Sequence, residues 1–340
     1  MQRVTQYVIR RLLLAFLVII GIIFITFFLS HVVPSNPAAL WAGAHPTAQE
    51  IETAKKQLHL NDPVYVQFYY YLGNLIHGNL GVSIRTHDPV LKDILFFLPN
   101  TLTLITLSLI ISALVGIPLG VISAVKSYKT VDYIARIFAV AGIALPTFWL
   151  GMVLQLVFNK YLNILPVGGY MSVLVSYQYP IAHVTGSYLI DSLITANFPA
   201  FFSVSKHLIL PVLTLASYPT GLVIRQTRAS MLEVLEENYI RTSKAYGIES
   251  RVINYRYALK NAINPVLIVL SLSFAYSLIG AFYVEDVFAL PGLGQYATLS
   301  ILSLDYPAIV GVTIVVAIFY VAINLVVDML QYYTDRRITL

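Results

Sequence analysis

An all-α polytopic membrane protein is the fold class this sequence predicts, with six transmembrane helices and both termini cytoplasmic. Three observations carry the prediction. The 340 residues are 58% hydrophobic and only 11% charged, whereas a soluble domain carries about 25% charged residues. Six runs are nearly free of charge and close to the roughly 20 residues a span needs: Leu12–Val33, Thr101–Val125, Ile137–Phe158, Leu208–Ile224, Pro265–Val284 and Tyr306–Val327. The 21 Lys and Arg also divide unequally about these runs. With the N-terminus inside, only Lys55, Lys56, Arg85, Lys92, Lys160 and Lys206 fall outside, and the other 15 fall inside. That is the positive-inside bias of a multi-pass protein. A mean hydropathy of +0.77 excludes a soluble cytoplasmic enzyme, a disordered chain and a coiled coil.

The first run is longer than the apolar stretch of a signal peptide and no A-x-A-like site follows it, so it is expected to stay as a span. The segment from Pro34 to Pro99 lies outside and contains a helix over Ala48–Leu60 with Thr47 as its cap. After the second and third spans, Tyr161–Ile190 carries no Asp, Glu, Lys or Arg and rivals a seventh span. Pro166, Gly168, Gly169, Pro180 and Gly186 interrupt it, and backbone exposed to lipid needs unbroken helical hydrogen bonding. It is therefore expected to be an outside loop. Its tyrosines and phenylalanines fit either an interfacial aromatic belt or a lid or docking surface. The fourth run is short, with a start that can lie a few residues earlier. The chain then divides into 1–97 (first span and outside segment), 98–330 (the five-span core) and 331–340 (a cytoplasmic tail).

Catalytic chemistry is missing from the pattern. There is no cysteine, hence no disulfide and no thiolate site. No phosphate loop, no H-E-x-x-H and no G-x-S-x-G occurs. The seven histidines lack metal-ligand spacing, so no metal and no cofactor is expected in this chain. The spans hold almost no charge, and ion-coupled carriers use buried ionisable relays. Asp328, with Asn324 one turn earlier, is the nearest candidate. A passive channel or ATP-independent carrier stays open, as does a transporter driven by other subunits. Small polar residues in the spans, Ser108, Ser112, Gln155, Ser271, Ser273 and Ser277, are the candidate pathway. Such residues also serve helix packing.

The Arg225–Asn264 loop is the longest inside piece. Ser230-Met231-Leu232-Glu233 fits a capping box, although the fourth span can instead run through it. Met231, Val234, Leu235, Asn238 and Thr242 fall on one helical face, with Glu237 and Arg241 paired four apart. Tyr246-Gly247 ends this helix, with Gly247 at positive φ. A second short helix is expected from Glu249 to about Asn261, ended by Pro265. The two make a protruding elbow.

Arg241-Thr242-Ser243-Lys244-Ala245-Tyr246-Gly247, then Tyr257-Ala258-Leu259-Lys260-Asn261-Ala262 and Pro265, resemble the EAA loop of permease subunits in bacterial and archaeal ABC importers. The resemblance runs along nearly the whole chain. It includes Val8-Ile9-Arg10-Arg11-Leu12, Gly78-Asn79-Leu80-Gly81-Val82-Ser83, Leu98-Pro99-Asn100-Thr101-Leu102 and Glu285-Asp286-Val287-Phe288 with Leu290-Pro291-Gly292-Leu293-Gly294. The ordered set is similar to the first permease of dipeptide/oligopeptide importers. It implies the type-1 ABC transmembrane fold and no catalysis in this chain. Implied partners are a second homologous permease, two ABC ATPase subunits that bind ATP and Mg, and an extracytoplasmic solute-binding protein. Arg241, Thr242, Ser243, Lys244, Ala245, Tyr246, Gly247, Ala258 and Asn261 would form the ATPase-coupling loop. Archaeal members also import oligosaccharides, so the fold does not by itself name peptides.

Overall fold

The computed structural model describes residues 13–14, 16–28, 46–57 and 61–334, except for the side chains of 54, 57, 328 and 330–334. The N-terminal motif, the ends of the first expected span, three of the histidines, the Asp328 side chain and the tail after 334 lie outside the described residues. Among the described residues the secondary structure is helical apart from one isolated bridge, Val82 to Pro89. The chain packs as two compact units, residues 1–98 with 295–321 and residues 99–294 with 322–339.

In the first unit, α1 (Phe16–Phe28) precedes α2 (Ala48–Gln57) and α3 (Val64–Ile76). Thr47 and Glu50 form the expected cap reciprocally. The Thr47 amide donates to Glu50 Oε2 at 2.8 Å and the Glu50 amide to Thr47 Oγ1 at 3.3 Å. Phe27 of α1 meets Phe68 and Tyr71 of α3 at ring-centroid distances of 5.1 and 5.5 Å. Two buried carboxylates fix the segment after α3: Asp305 accepts from Ser83 Oγ and the Arg85 amide, and Asp93 from Thr86 Oγ1 and Tyr296.

The second unit is built on long helices. They are α4 (Val90–Val125, its residues from 99 onward), α9 (Phe198–Leu235) and α11 (Ser250–Val287). Between α4 and α9 lie α5 (Thr130–Ala144), α6 (Thr147–Gln155, prolonged by a π turn Leu156–Tyr161), α7 (Val173–Gln178) and α8 (Tyr188–Ile194). The elbow carries α10 (Asn238–Ala245). The chain ends with α12 (Leu293–Leu302) and α13 (Tyr306–Thr334). Gly120 allows α4 and α9 to close on each other. A Cβ there would sit 2.5 Å from Cβ of Thr227.

Among the described residues four helices, Val90–Val125, Phe198–Leu235, Ser250–Val287 and Tyr306–Val327, are long and apolar enough to cross a membrane. The third expected span differs from a straight rod. It is the pair α5 and α6, bent by 107°. Leu145 is extended there (φ −76, ψ 130) because the ring of Pro146 bars it from helical backbone. The fourth span starts earlier and ends later than its hydropathy. Asn197 caps it by accepting from the Ala200 amide at 3.3 Å. The same helix passes through Ser230–Glu233, so no capping box forms there.

The segment 162–197, expected as an outside loop, is folded. Asp191, fully buried, gathers the amides of Val184, Thr185 and Gly186 and the Thr185 hydroxyl at 2.6–3.1 Å. Burial pushes its pKa up, but these donors outweigh burial and hold it below the usual carboxylate value. Tyr170 stacks on Tyr188 at 4.1 Å, over a core of Met171, Ala200 and Val204.

Candidate functional site

The elbow begins where α9 stops. Glu237 takes extended backbone (φ −63, ψ 147) and α10 starts at the next residue. The single amphipathic helix expected from Met231 to Tyr246 is therefore two helices with different phases. Ile240, not Asn238 or Thr242, turns inward. Ile240 is completely buried against Met231, Ile253, Ala258 and Ala262 and against Val121 and Ala124 of α4. Asn238 and Thr242 are exposed.

The corner closes with two reversed hydrogen bonds. The Gly247 amide donates to the Lys244 carbonyl at 3.0 Å and the Ile248 amide to the Ser243 carbonyl at 3.2 Å. Gly247 has φ +75, the left-handed geometry that such a C-terminal cap requires and that glycine adopts without a Cβ clash. Ile248 packs back onto the apolar base. This is the corner the Tyr246-Gly247 pair predicts.

The return arm differs from expectation. A π turn, Ile253–Ala258, follows Ser250, and the helix continues past Pro265 to Val287. Pro265 does not end it. Membrane helices accept an internal proline because neighbouring groups re-satisfy the freed carbonyl. Asn261 ties the arms together: its Nδ2 donates to Tyr239 OH at 2.7 Å and to the Tyr257 carbonyl at 3.3 Å.

The result is a corner on an apolar base with a polar outer surface. Arg241, Thr242, Lys244, Ala245, Tyr246 and Gly247 are exposed, and Tyr246 is 82% exposed. Ser243 is half-buried, and Ala258 is buried in the base. Nearby, Asp132 at the start of α5 is fully buried and accepts from Arg228 of α9, Ser123 and the Tyr128 amide. Sequence reading missed Asp132 and Ile240. The Arg228 partner lies 96 residues away from Asp132, which no local pattern reveals. Ile240 was visible as the one aliphatic side chain in a polar stretch.

The candidate pathway residues are dispersed. Ser108 donates to the carbonyls of Leu104 and Val212, and Ser112 to those of Ser108 and Ala216, so both join α4 to α9. Gln155 bonds the carbonyls of Val167 and Val287. Ser273 and Ser277 are buried, and Ser271 is half-buried and bonds the Leu267 carbonyl.

Two family models match. Residues 4–105 fit "Binding-prot-dependent transport system membrane comp, N-term" and residues 116–340 fit "Binding-protein-dependent transport system inner membrane component". The probable D,D-dipeptide transport system permease protein DdpB of Escherichia coli K12 is 46% identical over 322 residues, covering 95% of this chain and 94% of the relative. The dipeptide transport system permease protein DppB of Alkalihalophilus pseudofirmus is 39% identical over 332 residues, 98% of each chain. The oligopeptide transport system permease protein AppB of Bacillus subtilis 168 is 34% identical over 333 residues, again 98% of each. With both models and full-length relatives in agreement, the chain belongs to the inner-membrane components of binding-protein-dependent transport systems.

Proposed function

We propose that this chain is one of two permease subunits of an ABC importer for peptides, with residues 236–258 as its ATPase-coupling elbow. The observation that carries the reading is the elbow itself: a glycine-closed corner, rigid at its base and polar at its tip. Arg241, Thr242, Ser243, Lys244, Ala245, Tyr246 and Gly247 would meet a groove of the ATPase, while Ala258 and Asn261 hold the second arm. The named activities of the relatives support a peptide solute over an oligosaccharide.

In this reading the first span and its outside segment (1–97) precede a five-span core (98–330) and a short tail (331–340). Six spans put both termini in the cytoplasm. A second permease completes the path, a solute-binding protein delivers the peptide outside, and ATP with Mg binds only in the partner ATPases. ATP binding draws the ATPases together. The elbow transfers that movement to α4, α9 and α11, which share its apolar base and move as a packed block.

Two experiments test this. In proteoliposomes of the complete transporter, dipeptide uptake should require ATP; robust flux through this chain alone would promote a passive channel or ATP-independent carrier. Single cysteines at Ser203 and Ser250 should label from opposite sides of the membrane. Labelling of both by an impermeant reagent in intact cells would overturn the six-span topology.

A further inference from the structure

Not every exposed helix face of the second unit resembles a lipid-facing one. Past the first turn of α5, where Tyr133 is exposed near the helix end, the exposed faces of α4 and α5 present aliphatic and phenyl side chains such as Ile110, Leu114, Ile134, Ile137 and Phe138. Hydrocarbon suits such faces. α11 is different. Tyr276, Ile279, Tyr283 and Asp286 recur at helical spacing along one stripe; the first three are each 56% exposed, and Asp286 is exposed as well. The opposite face, with Ser277, Leu278, Ala281 and Val284, is buried.

Depth separates this stripe from an interfacial aromatic belt. Asp286 lies in the last turn of α11. Tyr276 lies ten residues earlier, or about 15 Å at the α-helical rise. That is halfway into a hydrocarbon core about 30 Å thick. A phenol facing lipid there would leave its hydroxyl without a hydrogen bond. Water satisfies it, and Asp286 at the end of the same stripe continues that polar face toward the interface.

We propose that this stripe of α11 is the chain's wall of the aqueous solute path, and that Asp286 meets the free α-ammonium of a peptide. The proposal rests on the permease reading above. The two phenols donate to and accept from peptide amides whatever the peptide side chains are. One carboxylate at the end of the stripe supplies the charge complement of an amino terminus. Together they recognise what all short peptides share.

The test uses the complete transporter in proteoliposomes, with single cysteines in this cysteine-free chain. Under ATP turnover, Tyr276→Cys and Tyr283→Cys should react with an impermeant methanethiosulfonate at least tenfold faster than Leu114→Cys and Ile137→Cys. Equal rates would overturn the assignment and place the stripe against lipid or the second permease. Asp286→Asn should lower dialanine uptake about tenfold. Asp286→Cys should recover after an anionic methanethiosulfonate but not after a cationic one. Wild-type uptake by Asp286→Asn would overturn the role of the carboxylate. Wild-type transporter with no ATP-dependent dialanine uptake would instead sink the permease reading, and the labelling contrast would still report on the stripe.

Discussion

Arg228 grips Asp132 through both carboxylate oxygens, with Nε 2.7 Å from Oδ1 and a terminal nitrogen 2.9 Å from Oδ2. The carboxylate is fully buried, and the guanidinium side chain keeps 19% exposure. Removing one partner of such a pair strands the other charge, at roughly 3–5 kcal/mol when both are buried. Partial exposure of Arg228 places Asp132→Ala near the low end, about 3 kcal/mol. Thermal unfolding of the purified protein should show this loss, and Asp132→Ala with Arg228→Met should be less damaging than Asp132→Ala alone. A double variant as unstable as the sum of the singles would mean that the pair contributes nothing as a pair.

At the elbow, Gly247 has open space around it but a left-handed backbone. The penalty for a side chain is therefore conformational rather than steric. Gly247→Val should cost about 1–2 kcal/mol locally, with normal membrane levels but weakened ATPase co-purification and uptake. Gly247→Asn, which tolerates positive φ, should keep most of both. Equal ATPase stoichiometry in the valine and wild-type proteins would separate the corner from ATPase docking.

Ile240 anchors α10 in the apolar base. Ile240→Ala should cost about 2–4 kcal/mol and loosen the elbow before the spans. Faster amide exchange across residues 238–248, with exchange in α4 unchanged, is the expected pattern. Uniform exchange across both would show that the base is not a local anchor.

Asp191 has a depressed pKa in the fold, so its stabilisation is full above the unfolded value of about 3.9. It disappears as pH falls through the lower, folded value. Cleavage of the 179–187 segment by an acid-active protease should rise in the wild type as pH falls below the unfolded carboxylate value of about 3.9. Asp191→Asn, which turns an amide group toward the clustered backbone donors, should be cleaved readily at neutral pH. Resistance of the asparagine variant at pH 7 would show that the loop is held by its aromatic core alone.

Hydropathy made the apolar lengths of α4 and α13 legible, because lipid burial and helix formation coincide there. It misplaced both ends of α9, since that helix outruns its apolar stretch at both ends. Pro146 was visible inside the third run, yet its 107° effect depends on the tertiary seat of α6. Gly247 was readable because glycine takes the left-handed corner at no steric cost. The break at Glu237 was not, for it has neither proline nor glycine and is set by where Ile240 finds a core. The folding of the 162–197 segment around Asp191 likewise has no sequence period.

The π turn at Ile253–Ala258 has a rotational consequence. A π turn closes i→i+5 rather than i→i+4, so it takes in one residue beyond α winding. One residue is about 100° of azimuth in an α-helix. The turn therefore acts as a set screw between Ile253, held in the apolar base at its start, and everything from Ala258 onward along α11. Deleting a single residue from this turn would restore ordinary winding. Either Ile253 would leave its seat, or Ala258 and Ala262 would leave theirs and Tyr276 and Asp286 would swing with them by roughly a quarter of a circle. The length of this short stretch thus governs the direction in which a face some 30 Å away looks, at about 1.5 Å per residue.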